Sequence, residues 1–102
     1  MDIQELTDAM HNFVRSQGWY KEDSPKPQTL RNLAISLTLE ASEVLEHFQW
    51  NGDLVSVEGL SEELADVALY LLQISSLAGV DLEQAILNKL ERNYNRRWNE
   101  EV

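Results

Sequence analysis

Cysteine is absent from these 102 residues, which removes a disulfide scaffold, a zinc finger and thiol catalysis together. Proline is scarce: Pro25 and Pro27 stand in one short stretch and there are no others. The four glycines are scattered, so there is no glycine-rich loop to cradle a phosphate. No apolar run approaches the roughly 20 residues that a membrane-spanning helix needs. The opening residues, MDIQELTD, lack the basic and apolar regions of a signal peptide, and a cytoplasmic protein is expected. Basic residues are also few, 8 Lys and Arg against 18 Asp and Glu, a net charge of −10. That balance argues against a nucleic-acid backbone as partner, and nothing points to a membrane. Nucleotides stay open, because a divalent cation can mediate between an acidic site and a phosphate. An apolar fraction of 43% with 25% charged residues fits an ordinary globular chain, and the length predicts a single domain over 1–102.

The charge is uneven. No Lys or Arg occurs between Arg31 and Lys89, and within that gap the stretch from Glu40 through Asp66 carries eight acids: Glu40, Glu43, Glu46, Asp53, Glu58, Glu62, Glu63 and Asp66. Lys89, Arg92, Arg96 and Arg97 then cluster near the C-terminus. One site could draw on both signs; equally, these could be solvated helix faces.

Apolar residues recur at three and four, and period-2 alternation is missing, so the chain reads as helices without strands. The first helix is expected over about Ile3–Gln17, capped by Asp2 and stopped by Gly18. A loop with Trp19, Tyr20 and the two prolines follows. The second helix is expected over about Thr29–Gln49, with Ile35 and Leu39 projecting opposite its main apolar face, a pattern that calls for a second partner. A loop around Asn51-Gly52-Asp53 leads to a third helix, expected from Ser61 as N-cap to Gly79. Between Leu64 and Ala78 its only charge is Asp66, so burial on most sides is expected, with a narrow polar strip of Glu62, Asp66 and Gln73 edged by Glu63. The fourth helix opens at Asp81 with Gln84 in a capping-box arrangement, and Leu82, Ile86, Leu90, Tyr94 and Trp98 form its core stripe. The predicted fold is a small all-α domain of four helices.

The chemistry lies in two carboxylate pairs, Glu40 with Glu43 and Glu63 with Asp66. Positions i and i+3 on a helix are neighbours, so each pair can aim two carboxylates at one point. Antiparallel packing would concentrate four negative charges, which protonation or a cation would relieve. Oxygen-only ligands favour Mg²⁺, Mn²⁺ or Ca²⁺ over zinc or copper. One ExxE alone in an acidic helical protein is most often a solvated face. Asp66 is harder to dismiss, because acids are rarely buried without partners. A di-iron bundle would want Glu-x-x-His on two helices, and an EF-hand needs alternating acids around a glycine; neither is present. His11 and His47 stand alone and read as surface or core-edge residues.

The two pairs, separated by the 19 residues from Val44 to Glu62, sit within LEASEVLEHFQW and EELADVALYLL. Over nearly its full length the chain resembles the all-α nucleoside triphosphate pyrophosphohydrolases of the MazG-like superfamily. RNLAISLTLEASEVLEHFQW and VDLEQAILNKLERN look like the single-domain branch that includes dCTP pyrophosphatase. The resemblance implies that Glu40, Glu43, Glu63 and Asp66 hold Mg²⁺, with Mn²⁺ a possible substitute. It implies hydrolysis of a nucleoside triphosphate to monophosphate and pyrophosphate, by water attacking the α-phosphorus, with Glu43 or Glu46 accepting its proton. Lys89, Asn93 and Arg96 match positions that face the phosphates. Trp19, Trp50 and Tyr70 match positions lining the base and sugar pocket, where aromatic rings can stack on a base; Tyr70 could equally be core, and Trp98 core or interface. The resemblance also implies a homo-oligomer, a dimer or a dimer of dimers with the tetramer favoured, whose sites form between subunits.

Two departures bear on the base. A histidine that some relatives carry in the first helix aligns with Met10, and His11 is offset by one. The loop text at Tyr20 and Lys21 is not the family's usual one. A pyrimidine deoxynucleotide such as dCTP, or a modified form, is the expected substrate, with nucleotide-pool sanitation as the role. The alternatives are dUTP, a damaged purine triphosphate or phosphoribosyl-ATP as substrate, or a non-catalytic acidic helical module that binds a protein.

Overall fold

The computed structural model describes residues 1–96; Arg97 and Trp98 lie outside them. Four helices follow one another: α1 (Ile3–Ser16), α2 (Leu30–Val44), α3 (Val57–Leu77) and α4 (Leu82–Asn95). Among the described residues the only β feature is an isolated bridge between Phe48 and Leu54.

Each helix starts where a short polar side chain takes up a backbone N–H that has no partner within the helix. Asp2 accepts from the Glu5 N–H at 2.8 Å, and the Glu5 carboxylate in turn accepts from the Asp2 N–H. Thr29 accepts from Asn32 and Asp81 from Gln84. The expected capping box at Asp81 is only half formed, because the Gln84 amide donates to Asn88.

Two boundaries correct the sequence reading. The α-helical part of α2 ends at Val44 and tightens into a 3₁₀ turn, Leu45–His47, short of Gln49. The backbone of His47 and Gln49 is spent on a small hairpin: Val55 N–H donates to the His47 carbonyl and Gln49 N–H to that of Asp53, both at 2.8 Å. Helix α3 begins at Val57, with Ser56 rather than Ser61 as its cap. Gly59 looks like a loop residue in the sequence but lies inside the first turn of α3. The His47 ring packs against it so closely that a Cβ there would stand 3.0 Å from two ring atoms.

Helix α3 is the centre of the fold, packed on α2 and, over a smaller area, on α1. Met10, Val14 and Leu72 form the core, with Ile3, Trp19, Tyr20 and Leu82 around it, and Leu33 is also buried. The end of α3 is a Schellman turn. Val80 N–H reaches the Ser75 carbonyl and Gly79 N–H that of Ser76, with Gly79 at φ +74°. The chain then turns by 103° into α4.

That turn overturns the expected core stripe of α4. Leu82 touches the core, but Ile86, Leu90 and Tyr94 are 45%, 48% and 87% exposed. The expectation that α3 is buried on most sides also fails within one chain, since Leu64, Leu69, Leu71 and Leu77 are all exposed. Ile35 and Leu39 project outward as the helical period requires. The radius of gyration is 16.7 Å, against about 13 Å for a compact domain of some 100 residues. No single helix among the described residues is long and apolar enough to cross a membrane.

Candidate active site

The packing of α2 on α3 brings Glu63 to the Glu40–Glu43 pair. One carboxylate oxygen from each of Glu40, Glu43 and Glu63 lies within 4.8 Å of the others, and all three side chains are half-buried. Asp66, one turn further along α3, adds its charge to the field at Glu40. Glu46 sits in the 3₁₀ turn, exposed, close enough for its charge to act on Glu43.

The three carboxylates disturb one another. A hydrogen bond with Glu63, and then burial, hold the Glu40 carboxyl above its usual 4.5. The charge of Glu40, and then burial, raise Glu43 in the same direction. A raised pKa means that the folded chain binds protons more readily than the unfolded one. The associated stability is present below about pH 4.5 and is lost as pH rises through the raised values. In EDTA, the melting temperature of wild type is therefore expected to fall relative to that of Glu40→Gln as pH is raised from 4.5 to 7. Parallel curves for the two proteins would show that the repulsion has no consequence for the fold.

Glu63 is held from the other side by His47, whose Nε2 lies 3.4 Å from its Oε1. Its Oε2 is buried and has no hydrogen-bond partner. An unpartnered buried carboxylate oxygen beside two more carboxylates is an arrangement that a cation completes. All-oxygen donors of this kind suit a hard divalent ion such as Mg²⁺. His47 therefore does not stand alone as its place in the sequence suggested. It packs on Gly59 and orients an acid of the cluster, a contact across 16 residues that no local pattern marks.

Between α1, the loop that follows it, α2 and α3 opens a cavity of about 620 Å³, within the range of small-molecule sites. Asp66 lines it, whereas Glu40, Glu43 and Glu63 do not, and Trp19, Tyr70 and Gln73 are among the other lining residues. Trp19 is fixed by the edge of Phe13, ring centroids 5.7 Å apart at 85°, and Lys26 Nζ lies 4.6 Å from the Trp19 ring centre. Met10, which aligns with the relatives' histidine, is buried and lines the same cavity.

The remaining expected site residues lie elsewhere. Trp50 is fully exposed at the hairpin. Lys89 is exposed on α4, Asn93 is half-buried near its end, and Arg96 is its C-cap. None of these four lines the cavity.

Comparison with known proteins matches residues 28–98 to the model of the MazG nucleotide pyrophosphohydrolase domain. The dCTP pyrophosphatase 1 of Mus musculus is 32% identical over 92% of the chain, and that of Homo sapiens is 33% identical over the same share. The chain spans 58% of the length of these relatives. Among solved structures, a pyrophosphatase from Archaeoglobus fulgidus DSM 4304 superposes with a TM-score of 0.72 at 32% identity, covering 92% of this chain and 90% of that one.

Proposed function

The chain belongs to the MazG nucleotide pyrophosphohydrolase domain family, and from that premise we propose that it hydrolyses a nucleoside triphosphate to the monophosphate and pyrophosphate in a Mg²⁺-dependent reaction. The observation that carries this reading is the convergence of Glu40, Glu43 and Glu63, with a Glu63 oxygen buried and unpartnered, while Asp66, one turn further along α3, lines a cavity walled partly by aromatic rings. The preferred substrate is a pyrimidine deoxynucleotide such as dCTP or a modified form, and the role is sanitation of the nucleotide pool.

Glu40, Glu43, Glu63 and Asp66 would hold the metal. Bound there, Mg²⁺ supplies positive charge for the triphosphate and lowers the pKa of a water molecule. The protein's own groups do the rest. Trp19 and Tyr70 enclose the base and sugar within the cavity. Water adds to the α-phosphorus, the bond to the bridging oxygen breaks, and pyrophosphate leaves. The water's proton passes to Glu43, whose carboxylate holds protons more firmly than usual, or to Glu46 in the next turn. Lys89, Asn93 and Arg96 carry donors suited to phosphate oxygens. They sit on a helix that diverges from the bundle, so they reach a site only when subunits assemble.

Assembly is part of the proposal. The exposed strips on α2, α3 and α4 leave one chain with few buried apolar side chains, and a dimer or dimer of dimers would cover them.

The test is pyrophosphate release from the eight common NTPs and dNTPs, with Mg²⁺ and with EDTA. Metal-dependent release with the monophosphate as co-product is expected, strongest for dCTP. If neither these nucleotides nor modified pyrimidines and phosphoribosyl-ATP are cleaved, and Mg²⁺ leaves the melting temperature unchanged, the enzyme reading gives way to a protein-binding module.

A further inference from the structure

One wall of the cavity is held by a chain of hydrogen bonds whose direction is dictated from one end. The backbone carbonyl of Lys26 can only accept, so the Gln28 amide turns its Nε2 toward it, at 2.7 Å. Gln28 Oε1 therefore faces inward and accepts from Gln73 Nε2 at 2.8 Å. The same Gln73 nitrogen donates to the Tyr20 hydroxyl at 3.2 Å. Tyr20, accepting there, has its own proton to give, and His11 Nδ1 stands 2.6 Å away. His11 must then carry its hydrogen on Nε2, which lies 2.7 Å from Ser76 Oγ. Burial, with the nearby Arg15 charge outweighing that of Asp8, lowers the His11 pKa, consistent with the neutral ring this order requires.

The chain fixes Gln73. Its side chain is only 4% exposed and lines the cavity. Both amide hydrogens are committed, one to Gln28 and one to Tyr20. The carbonyl oxygen is what this residue has left to offer, and an amide whose two N–H groups are both held by acceptors cannot flip without breaking both bonds.

We propose that Gln73 selects the base, its side-chain oxygen accepting a hydrogen bond from an exocyclic amino group, and that Gln28, Tyr20 and His11 hold it in that orientation. The assignment rests on the reading of the cavity as a nucleotide site. Cytosine and adenine carry an amino group on the edge where uracil, thymine and guanine carry an oxygen. An amino-bearing base satisfies Gln73; an oxo base sets two acceptors against each other. A site built to bond a polar group discriminates against ligands that lack it far more than an apolar site does. Gln73 is thus a specificity residue, and Tyr20, His11 and Gln28 are positioning residues that need not touch the ligand.

The experiment compares kcat/KM for dCTP and dUTP, which differ at that group, in wild type, Gln73→Met and Tyr20→Phe, with a thermal melt of each. Wild type is expected to favour dCTP by at least about tenfold, as one well-placed buried hydrogen bond allows. Gln73→Met should bring the two substrates within about threefold of each other, the change falling mainly on KM for dCTP. Tyr20→Phe frees one amide hydrogen of Gln73 and should reduce the preference severalfold, giving a second reading if Gln73→Met does not fold. A dCTP/dUTP ratio unchanged in the folded variants, with melting temperature alone lowered, would make the chain a structural brace and overturn the assignment. So would a wild type that cleaves nucleotides without an amino preference. A wild type that cleaves none of them overturns the proposed function and this inference together, and that failure shows before any variant is compared.

Discussion

Glu63→Gln is expected to lower pyrophosphate release by roughly 10²–10³ in kcat/KM, the scale on which removal of a charge-stabilising group usually registers, while raising the melting temperature of the metal-free protein. The two effects have one origin. Glu63 shares a crowded site with Glu40 and Glu43, and its Oε2 is buried without a partner. The amide keeps the shape and removes the charge, which relieves Glu40 but deprives the cation of a ligand. Addition of Mg²⁺ should raise the melting temperature of wild type, as any ligand of the folded state does, and should do so much less in the variant. The exposed neighbour Glu62 lies outside the cluster, and Glu62→Gln should leave all three quantities near wild type. Activity and metal-free stability falling together in Glu63→Gln would mean that this carboxylate supports the fold rather than a metal.

The second large effect concerns association. Leu39, on the outer strip of α2, is 59% exposed, and Leu64 on α3 and Ile86 on α4 are also exposed. Apolar surface of this extent is seldom left in water by a monomer. Sedimentation should give a mass at least twice the 11.7 kDa of one chain. Leu39→Glu should shift it toward the monomer and lower the melting temperature by about 10 °C or more, because an obligate assembly has little stability to fall back on. An 11.7 kDa particle in the wild type, at the concentration where activity is full, would remove the oligomer from the proposal.

Much of this architecture can be read from the residues. Asp2, Thr29 and Asp81 announce their helices, and the spacing of Glu40, Glu43 and Glu63 contains the acidic cluster once α2 packs on α3, with Asp66 outside its closest three. What could not be read has physical reasons. Gly59 resembles a helix breaker, but Ser56 caps its N–H and brings it into α3, and the His47 ring lying on it leaves no room for a Cβ. The apolar stripe of α4 records which face is to be covered and carries no information about which molecule covers it. Gln73 meets Tyr20 and Gln28 across 53 and 45 residues. Until the fold sets them in a row, the hints are only the place of Gln73 in the polar strip of an apolar helix and the unusual loop text at Tyr20.

The turn at Gly79 reaches beyond geometry. A 14-residue helix standing by itself is marginal in water, and the 103° bend leaves α4 with little of its own chain to lean on. If a second copy supplies that support, the last stage of folding is second order. The time needed to complete the fold then lengthens as the protein becomes scarce, and newly made chains wait on an encounter rather than on a search through their own conformations.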